Sequence, residues 1–278
     1  MLALEFLLVI LLASILAGAI GSIVGLGGGV IIIPILTVAL GVDIHFAIGA
    51  SIVSVIATSS GAAATYVKDK MTNLRVGMFL ELATTVGAIV GAAVAAYANS
   101  FALEFIFGSV LLVSLVPLVK QLGEDIPKNP ELEGLAKRLS LRGSYAETDG
   151  SAVDYNATRP KLGLLGMLVA GLISGLLGIG SGTFKVLSMD LAMKLPMKVS
   201  TTTSNFMIGV TAAASAGIYF ARGDVNPLIV APVAIGILIG AFIGTRLLVR
   251  ARNPTVRKLF AVVLAVTAVE MVLRAFGF

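Results

Sequence analysis

Ten apolar segments dominate the chain, at about residues 2–24, 30–41, 45–67, 75–98, 103–120, 162–178, 183–194, 198–220, 227–249 and 256–276. About 20 consecutive apolar residues make a helix long enough to cross a bilayer, and several segments reach that length. Hydrocarbon offers no partner to backbone N–H and C=O groups, so a spanning segment is a helix or a strand of a closed barrel. Barrel strands alternate polar and apolar residues, whereas the runs Phe6–Ile20 and Leu162–Leu177 are nearly unbroken. Helices follow. The composition agrees: 58% of the 278 residues are hydrophobic and 13% charged, against about 25% charged in a soluble domain. The expected fold class is all-α and integral to a membrane, with the lipid bilayer as first partner. Met1–Ala19 also has the look of a signal peptide ending at Ala17-Gly18-Ala19, but such a peptide opens on a basic region. This segment carries Glu5, and the first Lys or Arg is Lys68, so it is expected to remain as a helix.

The two halves repeat each other at an offset of 153 residues without a gap. The offset pairs Gly18 with Gly171, Gly25 with Gly178, Gly27 with Gly180 and Gly29 with Gly182. It also pairs Ser51 with Ser204, Thr58 with Thr211, Tyr66 with Tyr219, Asn73 with Asn226, Gly87 with Gly240 and Gly91 with Gly244. Glycine matches between membrane helices arise readily by chance. An ungapped register that also matches Tyr and Asn does not. The expected organisation is a first transmembrane repeat over 1–120, a polar connector over 121–161 and a second repeat over 162–278.

The basic residues decide how the repeats are oriented. Suppose residues 1–41 and their equivalents cross an even number of times, as two short spans or one re-entrant hairpin. Seventeen of the 20 Lys and Arg residues, from Lys68 to Lys258, then share one face; Arg222 and Arg274 lie on the other and Lys185 is unassigned. A single crossing would split them twelve against seven. Lys and Arg concentrate on the cytoplasmic side, so the even count is preferred. Each half then crosses an odd number of times, and the second half is inverted, as in many secondary transporters. The expectation is a multi-pass protein of the cytoplasmic membrane with both termini outside and the connector inside. The net charge of +5 is explained by this bias and not by nucleic acid. Within the connector, Glu131–Leu139 is expected as a solvated linker or a short amphipathic helix.

The inventory of reactive side chains is thin. There is no cysteine and one histidine, His45. Disulfides, thiol relays and multi-histidine metal sites are excluded, and no zinc spacing is present. No Ser–His or paired-carboxylate arrangement suggests catalysis. No catalytic residue, metal or cofactor is expected, and an enzyme is disfavoured.

Two glycine breaks carry the strongest functional signal, Gly25-Leu-Gly-Gly-Gly29 and Gly178-Ile-Gly-Ser-Gly182. Each is followed by only about 12 apolar residues, or about 18 Å of helix, which is too short to span. A helix starting at Val30 or Thr183 would aim free N–H groups and a positive dipole end at its glycine loop, a setting that suits anions. Close helix packing is the competing explanation for the glycines. The substrate-binding candidates are therefore Gly27, Gly28, Gly29, Gly180, Ser181 and Gly182. Lys185 joins them as a charge in an apolar run, with Ile32 as its repeat partner. Its alternatives are snorkelling to a headgroup or pairing with Asp190. Ser51, Ser204 and Asn205 are added as uncharged donors that suit an oxyanion which must bind and leave, with helix–helix hydrogen bonding as their alternative.

Glu81 and Glu270 lie in or near spans, Glu81 expected buried or paired, and Glu104 is expected at an interface. Asp43 and His45 are expected to do turn chemistry in a short external loop.

The pattern Gly18…Gly25-Leu-Gly-Gly-Gly29…Pro34 with Ala50-Ser51 resembles the sulfite exporter TauE/SafE family. Gly178-Ile-Gly-Ser-Gly182 with Thr203-Ser204-Asn205 is a weaker echo in the second half. The resemblance covers nearly the whole chain outside the connector. It implies a secondary transporter of small sulfur-containing anions, sulfite or organosulfonates, across the cytoplasmic membrane. Ser181 replaces the middle glycine and Leu187 stands where Pro34 has its equivalent, so the second break is expected to differ in shape from the first. A passive channel or a cation transporter is the alternative, and a membrane-embedded enzyme a more distant one. A cation path should present carboxylates from facing helices. Homo-oligomerisation is left open.

Overall fold

A computed structural model describes the chain except residues 1–2, 25–27, 69–70, 121–131, 133, 147–150, 181, 251–252 and 277–278. The first half contains α1 (Ala3–Val24), α2 (Gly29–Pro34), α3 (Ile44–Lys68), α4 (Leu74–Ala95) and α5 (Ser100–Lys120). The connector holds α6 (Gly134–Arg138) and the strands β1 (Arg142–Ala146) and β2 (Ala152–Asn156). The second half contains α7 (Pro160–Leu177), α8 (Gly182–Leu187), α9 (Met197–Arg222), α10 (Pro227–Arg250) and α11 (Asn253–Ala275). Among the described residues five helices are long and apolar enough to cross a membrane: α1, α4, α7, α9 and α10.

The duplication is geometric as well as textual. Helices α2, α3, α4 and α5 begin 153 residues before α8, α9, α10 and α11. Helices α2 and α8 both continue without a break into a π-helical turn, Ile35–Ala39 and Ser188–Ala192, again at the same offset. The i→i+6 closures after these turns match too, with Val42 N donating to Leu36 O and Leu195 N to Met189 O.

The equivalent helices α3 and α9 cross antiparallel. Gly49 of α3 lies against the carbonyl of Asp224 just past the end of α9. Ser59 Oγ donates to Asn205 O, and Thr202 Oγ1, near the start of α9, donates to Met71 O. Antiparallel packing of equivalent helices makes this an inverted repeat. The outer helices are exchanged between halves: α1 lies parallel to α10, and α7 parallel to α4.

Glycines at these crossings let backbones touch. A Cβ on Gly18 would sit 2.4 Å from Ile237 O, and one on Gly171 would sit 2.1 Å from Thr84 O. Gly87, Gly91, Gly240 and Gly244 are equally tight. Backbone approach through small residues is how membrane helices associate, so these matched glycines serve packing.

Helix ends are set by short polar side chains. Asn73 Oδ1 accepts from Val76 N at 3.0 Å and caps α4, and its equivalent Asn226 accepts from Leu228 N. The connector is more structured than a linker. Strands β1 and β2 pair antiparallel, with Arg142 opposite Asn156. Asn73 Nδ2 ties this hairpin to the start of α4 through Arg142 O (3.2 Å) and Tyr155 Oη (3.0 Å). Burial pushes the Tyr155 phenol up to about 12, against the Asn73 hydrogen bond, which lowers it. The expected short helix is present as α6, although Glu131 and Glu133 lie outside the described residues.

Candidate functional site

Helix α1 ends at Val24, and Gly28, with φ +74°, starts the return helix α2. The αL conformation there suits glycine, which has no Cβ to clash. Gly178 closes α7 with φ +67°, and Gly180 follows with φ +69°. Each return helix with its π turn is 11 residues, about 16 Å, and leads back toward the face where its half began. These elements are too short to cross a bilayer at right angles, and they fit the re-entrant hairpin that was one of the two arrangements behind the even crossing count. Within a helix the first amides have no acceptor a turn behind them. Ile31 and Ile32 N both donate to Gly28 O, which leaves Gly29 and Val30 as the amides at the mouth of α2.

The two breaks meet. A Cβ on Gly29 would lie 2.4 Å from Ser51 Oγ, 2.8 Å from Val55 and 3.6 Å from Ile179 Cα. Ser51 Oγ donates across the halves to Gly178 O at 2.9 Å. Its equivalent Ser204 donates to Gly182 O at 3.3 Å. Asn205 Nδ2 reaches the end of α1 at Ser22 O, 2.9 Å away. Gly180 packs on Val55 and Ile208. Ser51, Ser204 and Asn205 are all fully buried, so each makes the interhelical hydrogen bond that was its alternative role. Two fully buried oxygens on the same helix, Asn205 Oδ1 and Thr201 Oγ1, have no hydrogen-bond partner among the described residues. Gly27 and Ser181 lie outside the described residues.

Lys185 lies one turn into α8 and is fully buried. It neither snorkels nor pairs with Asp190. Its Nζ is 3.2 Å from Glu81 Oε2 on α4 and donates to Thr211 Oγ1 on α9. Thr211 Oγ1 donates to Glu81 Oε1 at 2.5 Å, and Thr85 Oγ1 lies 3.4 Å from the same oxygen. Three helices thus close a compact ionic triad near the second break. The triad was legible only in part. Glu81 and Lys185 are both intramembrane charges that break the 153-residue match, against Ala234 and Ile32, a shared irregularity that could have linked them but was not used.

The opposite rim is built differently. Asp43 Oδ1 accepts from His45 N at 2.9 Å and lies 2.9 Å from His45 Nδ1, so it caps α3, as turn chemistry predicted. Arg222 Nε is 3.1 Å from Asp224 Oδ2. Burial pushes the Asp224 carboxyl up, opposed by the positive charge of Arg222 and by His45. Arg274 holds both Glu104, at 3.0 Å, and the carbonyl of Thr37. Among the described residues no cluster of His, Asp or Glu has metal-binding geometry.

Inverted repeats, exchanged outer helices and paired short return helices define an integral membrane protein of the broken-helix kind. The profile of the family described as Sulfite exporter TauE/SafE matches residues 10–271. Two curated relatives come from Bacillus subtilis (strain 168). The probable membrane transporter protein YunE is 26% identical over 272 residues, covering 95% of this chain and 96% of its own length. The probable membrane transporter protein YdhB is 24% identical over 240 residues, covering 86% and 89%. No solved structure matches. The chain belongs to the sulfite exporter TauE/SafE family and is a membrane transporter.

Proposed function

We propose that this protein is a secondary transporter of small sulfur-containing anions, sulfite or organosulfonates, with its site where the two glycine breaks meet. The observation that carries this is the convergence of Gly29, Ser51 and Ile179, with the buried cation Lys185 three residues beyond Gly182 in the return helix of the second break. In the proposed site Gly27–Gly29 and Gly180–Gly182 supply amides, Ser51, Ser204 and Asn205 supply uncharged donors, and Lys185 supplies charge. Helix starts and a buried ammonium both favour an anion. A cation path is less well supported, because the intramembrane carboxylate Glu81 is already neutralised by Lys185. Ser51, Ser204, Asn205 and Lys185 are buried between helices, so binding requires the repeats 1–120 and 162–278 to move apart, with 121–161 as their connector. Such rocking of one repeat against the other is how inverted-repeat transporters alternate access.

The test is counterflow exchange in proteoliposomes, screening sulfite, thiosulfate, methanesulfonate, phosphate and metal cations. Exchange of the sulfur oxyanions, lost at least tenfold in Lys185→Met, is expected; a charged hydrogen bond is worth about 1.5–3 kcal/mol. Exchange of cations alone would refute the assignment. We also propose that the termini are outside and the connector cytoplasmic. Ser144 is exposed on β1, and Ser144→Cys should resist impermeant thiol reagents in intact cells. Efficient labelling would reverse the topology.

A further inference from the structure

We propose that Glu81 is the proton-coupling carboxylate of this transporter: a proton taken up by Glu81 releases Lys185 to the anion. The inference rests on the anion site proposed above and adds the coupling ion and the residue that carries it.

Charge balance in a buried site carries the argument. Lys185 is fully buried and the Glu81 side chain is 12% exposed, so the triad sits in a low-dielectric environment. As an ion pair it is neutral. Adding a monoanion to that pair would leave one uncompensated negative charge, which a buried site disfavours strongly. Adding a proton together with the anion keeps the site neutral: the proton goes to a Glu81 carboxylate oxygen, and the ammonium of Lys185 turns from Glu81 to the anion. One proton moves with each monoanion, and no other group changes charge.

Thr211 is placed to serve both states. In the ion-paired state its hydroxyl donates to Glu81 Oε1 and accepts from Lys185. It has a second acceptor, Met207 O, at 3.2 Å. When Glu81 is protonated, the hydroxyl can rotate to Met207 O and accept the new carboxylic proton, so the acid is not left unpaired. Thr58, the repeat equivalent, bonds the equivalent carbonyl, Ser54 O, at 2.9 Å. The positions equivalent to Lys185 and Glu81 hold Ile32 and Ala234. The fold therefore builds the same locus without charge, and the charged version in the second half is not a requirement of packing.

Among the described residues, the ionisable group facing Glu81 is Lys185. On α4 itself Arg75 lies at the connector end. On α7 the one charge is Lys161 at its start, and on α9 they are Lys198 and Arg222 near the two ends. Asp190 lies five residues beyond Lys185, in the π turn after α8.

The test compares wild type with Glu81→Gln in proteoliposomes, using sulfite and methanesulfonate as probes. Two measurements are made: exchange at equal pH on both sides, and accumulation driven by an imposed inward proton gradient. Gln copies the shape and neutrality of the protonated acid. The variant is expected to keep exchange within about threefold and to lose gradient-driven accumulation at least tenfold. Comparison under identical conditions cancels the titration of sulfite itself. Accumulation by Glu81→Gln equal to wild type would overturn the proposal, as would wild-type exchange that no proton gradient can drive uphill. If wild type exchanges neither anion, the transport assignment fails first and the coupling falls with it. Should Glu81→Gln not fold, purified wild type still decides: adding methanesulfonate, which does not titrate, should draw one proton per bound anion from a weakly buffered solution. Binding without proton uptake would overturn the proposal.

Discussion

The two halves share one plan but carry different side chains at one buried locus. In the second half, Lys185 on the return helix meets Thr211 and Glu81. In the first half the same three positions hold Ile32, Thr58 and Ala234. The elements around them are matched: the glycine break, the 11-residue return helix with its π turn, and the long antiparallel helix. The difference teaches that the inverted scaffold and the charged site are separable. The scaffold needs glycines for backbone contact and a hydroxyl for local bonding. The Lys185–Glu81 pair is an addition in the second half, and in the function proposed above it is what turns the repeated fold into a transport site.

Breaking the asymmetry should have the largest effect. Ile32→Lys would bury a charge where Ala234 offers no partner, and Ile32 is fully buried. An uncompensated buried charge costs about 3–5 kcal/mol, so thermal unfolding in detergent should show severe destabilisation. Adding Ala234→Glu should recover about 1–3 kcal/mol as coupling between neighbours, beside a Thr58 already in place. If the double variant is no more stable than Ile32→Lys, the two loci are not equivalent.

Where the halves agree, equal damage is expected. Gly18→Ala and Gly171→Ala each drive a methyl into a facing backbone carbonyl. Overpacking of this kind costs about 1–3 kcal/mol, and the two variants should lose stability alike. A cost at only one of them would show that the exchanged outer helices pack differently.

The smallest effect concerns the helix caps. Loss of an Asn cap costs about 1 kcal/mol. Asn226→Ala should show about that, measured by unfolding. Asn73→Ala should exceed it, because Asn73 also holds Arg142 O and Tyr155 Oη of the connector hairpin. Equal losses would mean that the hairpin adds nothing to α4.

Much of the scaffold was legible before any coordinates. Apolar runs located the ten helices of the two halves, and the return helices after the glycine breaks followed from segments too short to span. The inverted arrangement followed from where Lys and Arg fall. The partners were not legible. Glu81 and Lys185 are 104 residues apart, and no local pattern says that α4 and α8 touch. Asp190 seemed the nearer choice for Lys185 because sequence distance stands in for space only within one helix. Ser51 and Asn205 illustrate a second limit: an amide or hydroxyl in a span looks the same whether it awaits a ligand or holds a neighbouring carbonyl. The β-hairpin of the connector escaped notice because its alternating Tyr145, Val153 and Tyr155 are few and its partner surface, at Asn73, lies in another segment.

The most direct test is to locate an anion whose atoms can be seen. Selenite has the shape and charge of sulfite, and selenium scatters anomalously. In crystals of the wild-type protein grown with selenite, the account predicts a selenium peak between the starts of α2 and α8, within reach of Lys185 Nζ, and no such peak in Lys185→Met. A peak elsewhere, or one at the same place that survives Lys185→Met at full occupancy, would contradict an anion site built on the paired breaks and that lysine.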